Sequence, residues 1–270
     1  MIASKYFFER KDGGSGRLRR SLQSHRPTLL FLDYDGTLVP IQKKPSLAVL
    51  STEVRSLIRR VAQRPDIAVG VVTGRSLADI KKMVRLPSIF YIANHGFQIS
   101  LNQTTWIHPD AKQILPFLAD ILSTLRSTLK STRGAIIEDK LFTLSVHHRN
   151  VESRSLPHLK KTVGRVVHHY RGMFRITTGK KVIEVRPNLL WNKGRAVLTV
   201  LKMLAFRDKP LIVYIGDDKT DEDAFKALHA KAMTIRVERS RTSRAKYFVR
   251  NPSEVHRLLK EIASINTAGK

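Results

Sequence analysis

Three stretches of the chain are almost continuously apolar, and each ends in a polar or acidic residue and a glycine-containing turn: TLLFLD at 28–33, IAVGVVT at 67–73 and LIVYIGD at 211–217. Short runs with that punctuation read as strands buried on both faces of a parallel sheet. Between and after them the period changes. Val54, Leu57, Ile58 and Val61 form one apolar stripe at helical spacing, and Val197, Leu198, Leu201 and Leu204 form another. Strands alternating with amphipathic helices predict an α/β core, a doubly wound, Rossmann-like parallel sheet.

The middle of the chain breaks that rhythm. A helix over Ile114 to Leu129, strands at 135–140 and 142–149, a helix from Leu156 to Tyr170 and strands at 173–178 and 181–186 predict an α+β module. The domain reading is a core of residues 27–106 and 187–270, an inserted module at 107–186, and an N-terminal extension at 1–26 whose order the sequence leaves open. In FTLSVHHR the apolar Phe142, Leu144 and Val146 alternate with Thr143, Ser145, His147 and Arg149, so one face packs and the other meets solvent or a ligand. By the same parity Glu138 shares a face with Lys140, and Glu184 with Arg186.

Composition narrows the setting. Of the 270 residues 42% are hydrophobic, enough for one sizeable core and a second smaller one. There is no long apolar run and no signal-peptide pattern, which reads as a soluble, cytoplasmic protein without a membrane partner. The absence of cysteine excludes thiolate catalysis and cysteine-built metal sites. With 49 Lys+Arg against 22 Asp+Glu the formal charge is +27, a field that attracts anions. The basic residues are spread over almost every segment, without a low-complexity tail or an aromatic ladder for stacking bases. That favours a cationic, solvated surface over a nucleic-acid partner.

All three core strands bring chemistry to their carboxyl ends, where open α/β sheets bind ligands. Asp33 and Asp35 are two positions apart at such an end, and two carboxylates in one crevice repel unless a cation lies between them. Mg²⁺ suits all-oxygen ligands, and GDDKTDED supplies more: Asp217 at the strand end, with Asp218 and Asp221 close behind. Asp221, Glu222 and Asp223 also precede a helix, where acids cap and offset the dipole, so both readings of Asp221 stand. Lys193 opens the helix WNKGRAVLTVLKML, a place unfavourable to a cation unless an anion is held there. A phosphate bound by the helix N–H groups, Lys193 and the Thr73 hydroxyl reverses that sign.

DYDGTL, the threonine of VVTGR, Lys193 and GDD, in that order, resemble the four signature elements of the haloacid dehalogenase superfamily of phosphatases. DYDGTLVPI, NHG (94–96), EDK (138–140), HHR (147–149), GKKVIEVRP (179–187) and GDDKTDEDAF (216–225) resemble, within it, the trehalose-phosphatase family. The resemblance covers the whole chain; one departure is His148, where that family commonly has tyrosine.

The resemblance implies a haloacid dehalogenase core with an inserted cap, and hydrolysis of trehalose 6-phosphate. Asp33 is then the nucleophile, Asp35 the acid and base, and Thr73 and Lys193 the stabilisers of phosphoryl charge. Mg²⁺ is held by Asp33, the Asp35 backbone carbonyl and Asp217, with Asp218 or Asp221 beside it. Gly36 and Arg75 belong to the phosphate side, Arg75 and His95 also reading as hinge or structural residues, and Glu138, Lys140, His147, Arg149, Lys180 and Glu184 to the sugar. Three alternatives remain: a phosphatase for another glycosyl phosphate such as glucosylglycerol phosphate, a basic nucleic-acid-binding protein, and an inactive regulatory domain, against which the intact Asp33, Asp35, Thr73, Lys193 and Asp217 argue.

Overall fold

The computed structural model describes residues 4–9, 13–24, 26–170, 172–179 and 181–265. The chain forms two compact units, Met1–Trp106 with Trp191–Lys270, and Ile107–Leu190. The first part of the larger unit runs β1 (Lys5–Tyr6), α1 (Gly14–Gln23), β2 (Thr28–Asp33), α2 (Thr52–Ala62), β3 (Ile67–Val72), α3 (Leu77–Val84), β4 (Phe90–Ala93), β5 (Gln98–Leu101) and β6 (Thr104–Ile107). The smaller unit follows with α4 (Pro109–Gln113), α5 (Leu115–Thr128), β7 (Ile136–Asp139), β8 (Leu144–His147), α6 (Leu156–His168), β9 (Phe174–Gly179) and β10 (Val182–Pro187). The chain then returns through α7 (Lys193–Leu204), β11 (Leu211–Gly216), α8 (Lys219–Leu228), β12 (Met233–Val237), β13 (Tyr247–Val249) and α9 (Pro252–Ser264).

The larger unit's sheet has the order β1-β13-β12-β11-β2-β3-β4-β5-β6. Its strands are parallel from β1 to β4, and β5 turns antiparallel. Alternate residues of β2, β3, β4 and β11 feed opposite cores, as strands covered on both faces require. Leu30 and Leu32 of β2 pack with α1, α2, α3 and α9 residues such as Leu18, Leu57, Ile80 and Leu258. Leu29 and Phe31 pack with Val197 and Val200 of α7 and Phe225 of α8. Helices therefore cover both faces, and the doubly wound expectation holds. Chain order reverses at β2, with β3 on one side and β11 on the other, which opens a crevice at their carboxyl ends.

Two expectations are refined. The described residues before 27 are more than a tail, because β1 adds to the sheet edge beside β13, and Phe7, Leu18 and Leu22 are buried in the core. The α7 stripe is centred one position off the expected one: Ala196, Val197 and Val200 are buried, and Leu198, Leu201 and Leu204 only partly so.

The smaller unit is a four-stranded antiparallel sheet, β7-β8-β10-β9, with α5 and α6 on one face. Leu144, Val146, Ile183 and Val185 pack there against Ile121, Leu125, Leu159 and Val163. The other parity carries Glu138, Ser145, His147, Glu184 and Arg186, in a register that sets Ser145 opposite both Glu138 and Glu184. Solvent does not reach all of this face, since Thr143 and Ser145 are fully buried. The short Ser145 side chain lies on a middle strand. Among the described residues no helix is long and apolar enough to cross a membrane.

Candidate active site

β2 ends on Asp33, which is 4% exposed, and the chain folds back at once. The amides of Thr37, Leu38 and Val39 all donate to the Tyr34 carbonyl, and Gly36 N donates to Val39 O at 2.7 Å. Gly36 has φ +85°, and a Cβ there would collide with the Asp217 carboxylate. Glycine is thus required twice, by the left-handed turn and by the close approach of the next strand's acid.

Lys193 is the first residue of α7, whose start is capped by the Asn192 side chain accepting from Arg195 N. Its ammonium is buried and donates to Asp33 Oδ1 at 2.7 Å and to Asp221 Oδ1 at 2.8 Å. The two readings of Asp221 turn out to be compatible. Its Oδ2 accepts from the Asp218 amide at 3.0 Å as part of a capping box, while Oδ1 faces Lys193 and the Tyr214 hydroxyl. The Asp218 side chain is taken up at the N-cap of α8 by Lys219 N. Asp221 rather than Asp218 therefore stands beside Asp33 and Asp217, and one carboxylate oxygen from each of these three lies within 4.8 Å of the others.

This cluster holds more negative than positive charge. Burial, then Asp221, pushes the Asp33 carboxyl well above its ordinary range in spite of Lys193. Burial and Asp221 likewise push Asp217 up to about 7. Lys193 moves the other way for an amine in a buried place: Asp221 and Asp33 outweigh its desolvation and raise it. Three acids sharing one ammonium explain both directions, and a further cation would relieve the imbalance. All-oxygen donors with this charge fit a hard divalent ion.

Thr73 follows β3 and is buried; its amide donates to Ile92 O, and its hydroxyl accepts from Arg75 N at 3.1 Å. The Asn94–Gly96 turn pins this loop, with Asn94 N on Arg75 O and His95 N on Thr73 O. Asn94 and His95 take up left-handed φ values of 51° and 55°, and Gly74 has no side chain because the His95 ring occupies that space. Arg75 does not stand free for a phosphate. Its Nε and Nη2 each donate to a different Asp35 oxygen at 2.7 Å, Nη1 donates to Asp79 at 2.9 Å, and Nη2 also reaches the Pro45 carbonyl. Asp35 is accordingly turned to Arg75 and lies outside the Asp33–Asp217–Asp221 group.

In the smaller unit, His147 Nε2 lies 2.8 Å from Glu138 Oε2. Lys140 Nζ sits between Glu138 and Glu184 at 3.8 and 3.7 Å, and Arg186 Nε is 3.7 Å from Glu184. Arg149 is exposed in the turn after β8, which ends at His147 rather than at 149. Lys180 lies outside the described residues. His148 is half-buried, and burial with Lys160 and Lys181 lowers its pKa.

The sequence pointed to Asp33, Thr73, Lys193 and Asp217 but missed Asp79 and Tyr214 as members of the surroundings. Their signals, an acid four residues after Arg75 and a tyrosine within an apolar strand, are too common to stand out.

Residues 31–253 match the model of the trehalose-phosphatase family. Trehalose-phosphate phosphatase B of Arabidopsis thaliana is 34% identical over 249 residues, which cover 87% of this chain and 66% of that protein. The chain thus spans about two thirds of the length of this curated relative. A solved structure of a trehalose-6-phosphate phosphatase related protein superposes with a TM-score of 0.77 at 30% identity, covering 87% of this chain and 96% of that one. A haloacid dehalogenase-like hydrolase from Bacteroides thetaiotaomicron gives a TM-score of 0.62 at 14% identity over 87% of this chain and 99% of its own, a likeness of fold.

Proposed function

We propose, from the premise that this chain belongs to the trehalose-phosphatase family, that it hydrolyses trehalose 6-phosphate to trehalose and phosphate through an aspartyl-phosphate on Asp33. The observation that carries this reading is the buried Lys193 ammonium, 2.7 Å from Asp33 Oδ1 at the switch point of the sheet. An anionic nucleophile attacking an anionic phosphoryl group needs a fixed cation beside it.

An Asp33 oxygen attacks phosphorus and the bond from phosphorus to the sugar oxygen breaks. Asp35 supplies the proton that this oxygen takes up. Asp35 then removes a proton from the water that attacks phosphorus, which releases phosphate and restores Asp33. Lys193 and the Thr73 hydroxyl donate to the phosphoryl oxygens. The two bonds from Arg75 occupy both Asp35 oxygens, so the acid and base roles require a geometry in which Arg75 releases one of them. Mg²⁺ would be held by Asp33, Asp217 and the Asp35 carbonyl, and when bound it offsets the charge that nucleophile and phosphate share.

The metal assignment has a pH signature. Burial and Asp221 push Asp217 up to about 7 in the fold, above its ordinary 3.8, so without a cation its charge destabilises the protein, fully above about pH 7 and progressively less as the pH falls toward 3.8. Mg²⁺ should therefore raise the melting temperature over that in chelator more at about pH 8 than at about pH 5. An equal rise at both, in thermal melts, would remove the cluster as the metal site.

Residues 107–186 act in this reading as the cap, with Glu138, Lys140, His147, Arg149, Lys180 and Glu184 reading the disaccharide. Carboxylates accept from paired sugar hydroxyls, and Lys and Arg donate to them. The lack of cysteine suits a cytoplasmic setting. Replacing Glu138 or Glu184 by alanine should lower kcat/KM for trehalose 6-phosphate about tenfold or more, one charge-assisted hydrogen bond's worth. Hydrolysis of a small aryl phosphate should fall little. Equal losses on both substrates would assign these glutamates to folding of the module instead.

A further inference from the structure

Tyr214 lies on β11, three residues before Asp217, and is fully buried. Its ring stacks on Phe31 at 6.2 Å and meets Phe225 edge-on at 5.7 Å, while Phe31 in turn packs on Phe90 at 5.5 Å. Three of these four rings are phenylalanines, and packing alone would accept a fourth. The hydroxyl is found at the one position that reaches Asp221, donating to its Oδ1 at 2.7 Å.

Asp221 is held from three directions: Tyr214 and Lys193 on Oδ1, and the Asp218 amide on Oδ2. Gly216 leaves room for it, since a Cβ there would meet the Asp221 carboxyl group. A carboxylate so fixed cannot rotate to follow the ammonium, so the ammonium is placed by the carboxylate. Of the three ammonium hydrogens, one goes to Asp221 and one to Asp33, leaving one for a phosphoryl oxygen.

We propose that Tyr214 is a positioning residue for phosphoryl transfer: its hydroxyl fixes Asp221, which in turn holds the Lys193 ammonium against Asp33 and the phosphate. The proposal rests on the reading of Asp33 and Lys193 given above. Tyr214 acts through Asp221, which accepts its hydroxyl hydrogen bond.

Tyr214→Phe keeps the ring packing and removes only the hydroxyl. In steady-state phosphate release from trehalose 6-phosphate and from an aryl phosphate, kcat should fall about tenfold on both, with KM changed less than about twofold. In an Asp221→Asn background the same substitution should add less than about a twofold loss, because the carboxylate it serves is gone. A purely structural tyrosine would instead lower the melting temperature and leave kcat of the folded enzyme unchanged. That result, or losses that multiply in the double variant, would overturn the proposal.

A second arm needs no turnover. In heteronuclear NMR the Lys193 ammonium signal, assigned by its loss in Lys193→Met, should shift and exchange with water about tenfold faster in Tyr214→Phe. An unchanged signal would overturn the proposal even if phosphate is never released. Absence of hydrolysis by the wild type, with the NMR shift present, would overturn the phosphatase reading and support the placement.

Discussion

Asp33→Asn will abolish phosphate release, by about 10⁴-fold or more, and leave the fold intact. The amide has the shape of the carboxylate but cannot form and pass on an acyl phosphate. Stability should not suffer, and the reason lies in the cluster itself. The Asp33 carboxyl is pushed well above its ordinary range by burial and by Asp221, so its charge costs stability at neutral pH. Removing that charge leaves Lys193 paired with Asp221 at 2.8 Å. Thermal melts should therefore show the variant at least as stable as wild type at neutral pH, with the gain shrinking as the pH falls toward the ordinary carboxylate range. Residual turnover after deamidation back to aspartate has been ruled out would remove Asp33 as nucleophile.

Lys193→Met should cost both activity and stability. Loss of a fixed cation beside the developing phosphoryl charge should lower kcat about 10³-fold. Its removal also leaves Asp33 and Asp221 buried at 4% and 0% exposure without their shared partner. Breaking a buried ion pair from one side typically costs about 3–5 kcal/mol. The loss should be largest near about pH 8 and smaller near about pH 5, because the Asp33 carboxyl, which the ammonium holds down, rises further without it and then protonates. The two variants thus move stability in opposite directions from neighbouring positions. Losses of the same sign in both, measured by denaturant unfolding, would show that packing rather than surplus negative charge governs the site.

Much of this arrangement is legible in the chain because strand ends advertise themselves. An apolar run that stops at Asp33, Thr73 or Asp217 with a glycine-containing turn fixes both a strand and the crevice it points into, and Lys193 is conspicuous as a cation where a helix begins. Side-chain direction is another matter. That Arg75 spends its guanidinium on Asp35 and Asp79, and that Asp221 both caps α8 and grips Lys193, depends on contacts across the sheet that no local period encodes. Short elements are hidden for a different reason. β1 has two residues, and the strands Gln98–Leu101 and Thr104–Ile107 are too brief to show alternation. Nor does a hydrophobicity pattern report that Ser145 is buried while its cross-strand neighbours are glutamates.

The most direct test of the account is to catch the phosphoryl group on the enzyme. Trehalose 6-phosphate and Mg²⁺ are mixed with the wild-type protein, quenched in acid within a turnover, and the digest is read by mass spectrometry. The account predicts one phosphorylated peptide, the one that carries Asp33, and none from Asp33→Asn. Trehalose release with no phosphorylated peptide at any quench time, or with the phosphoryl group on another residue, would contradict it.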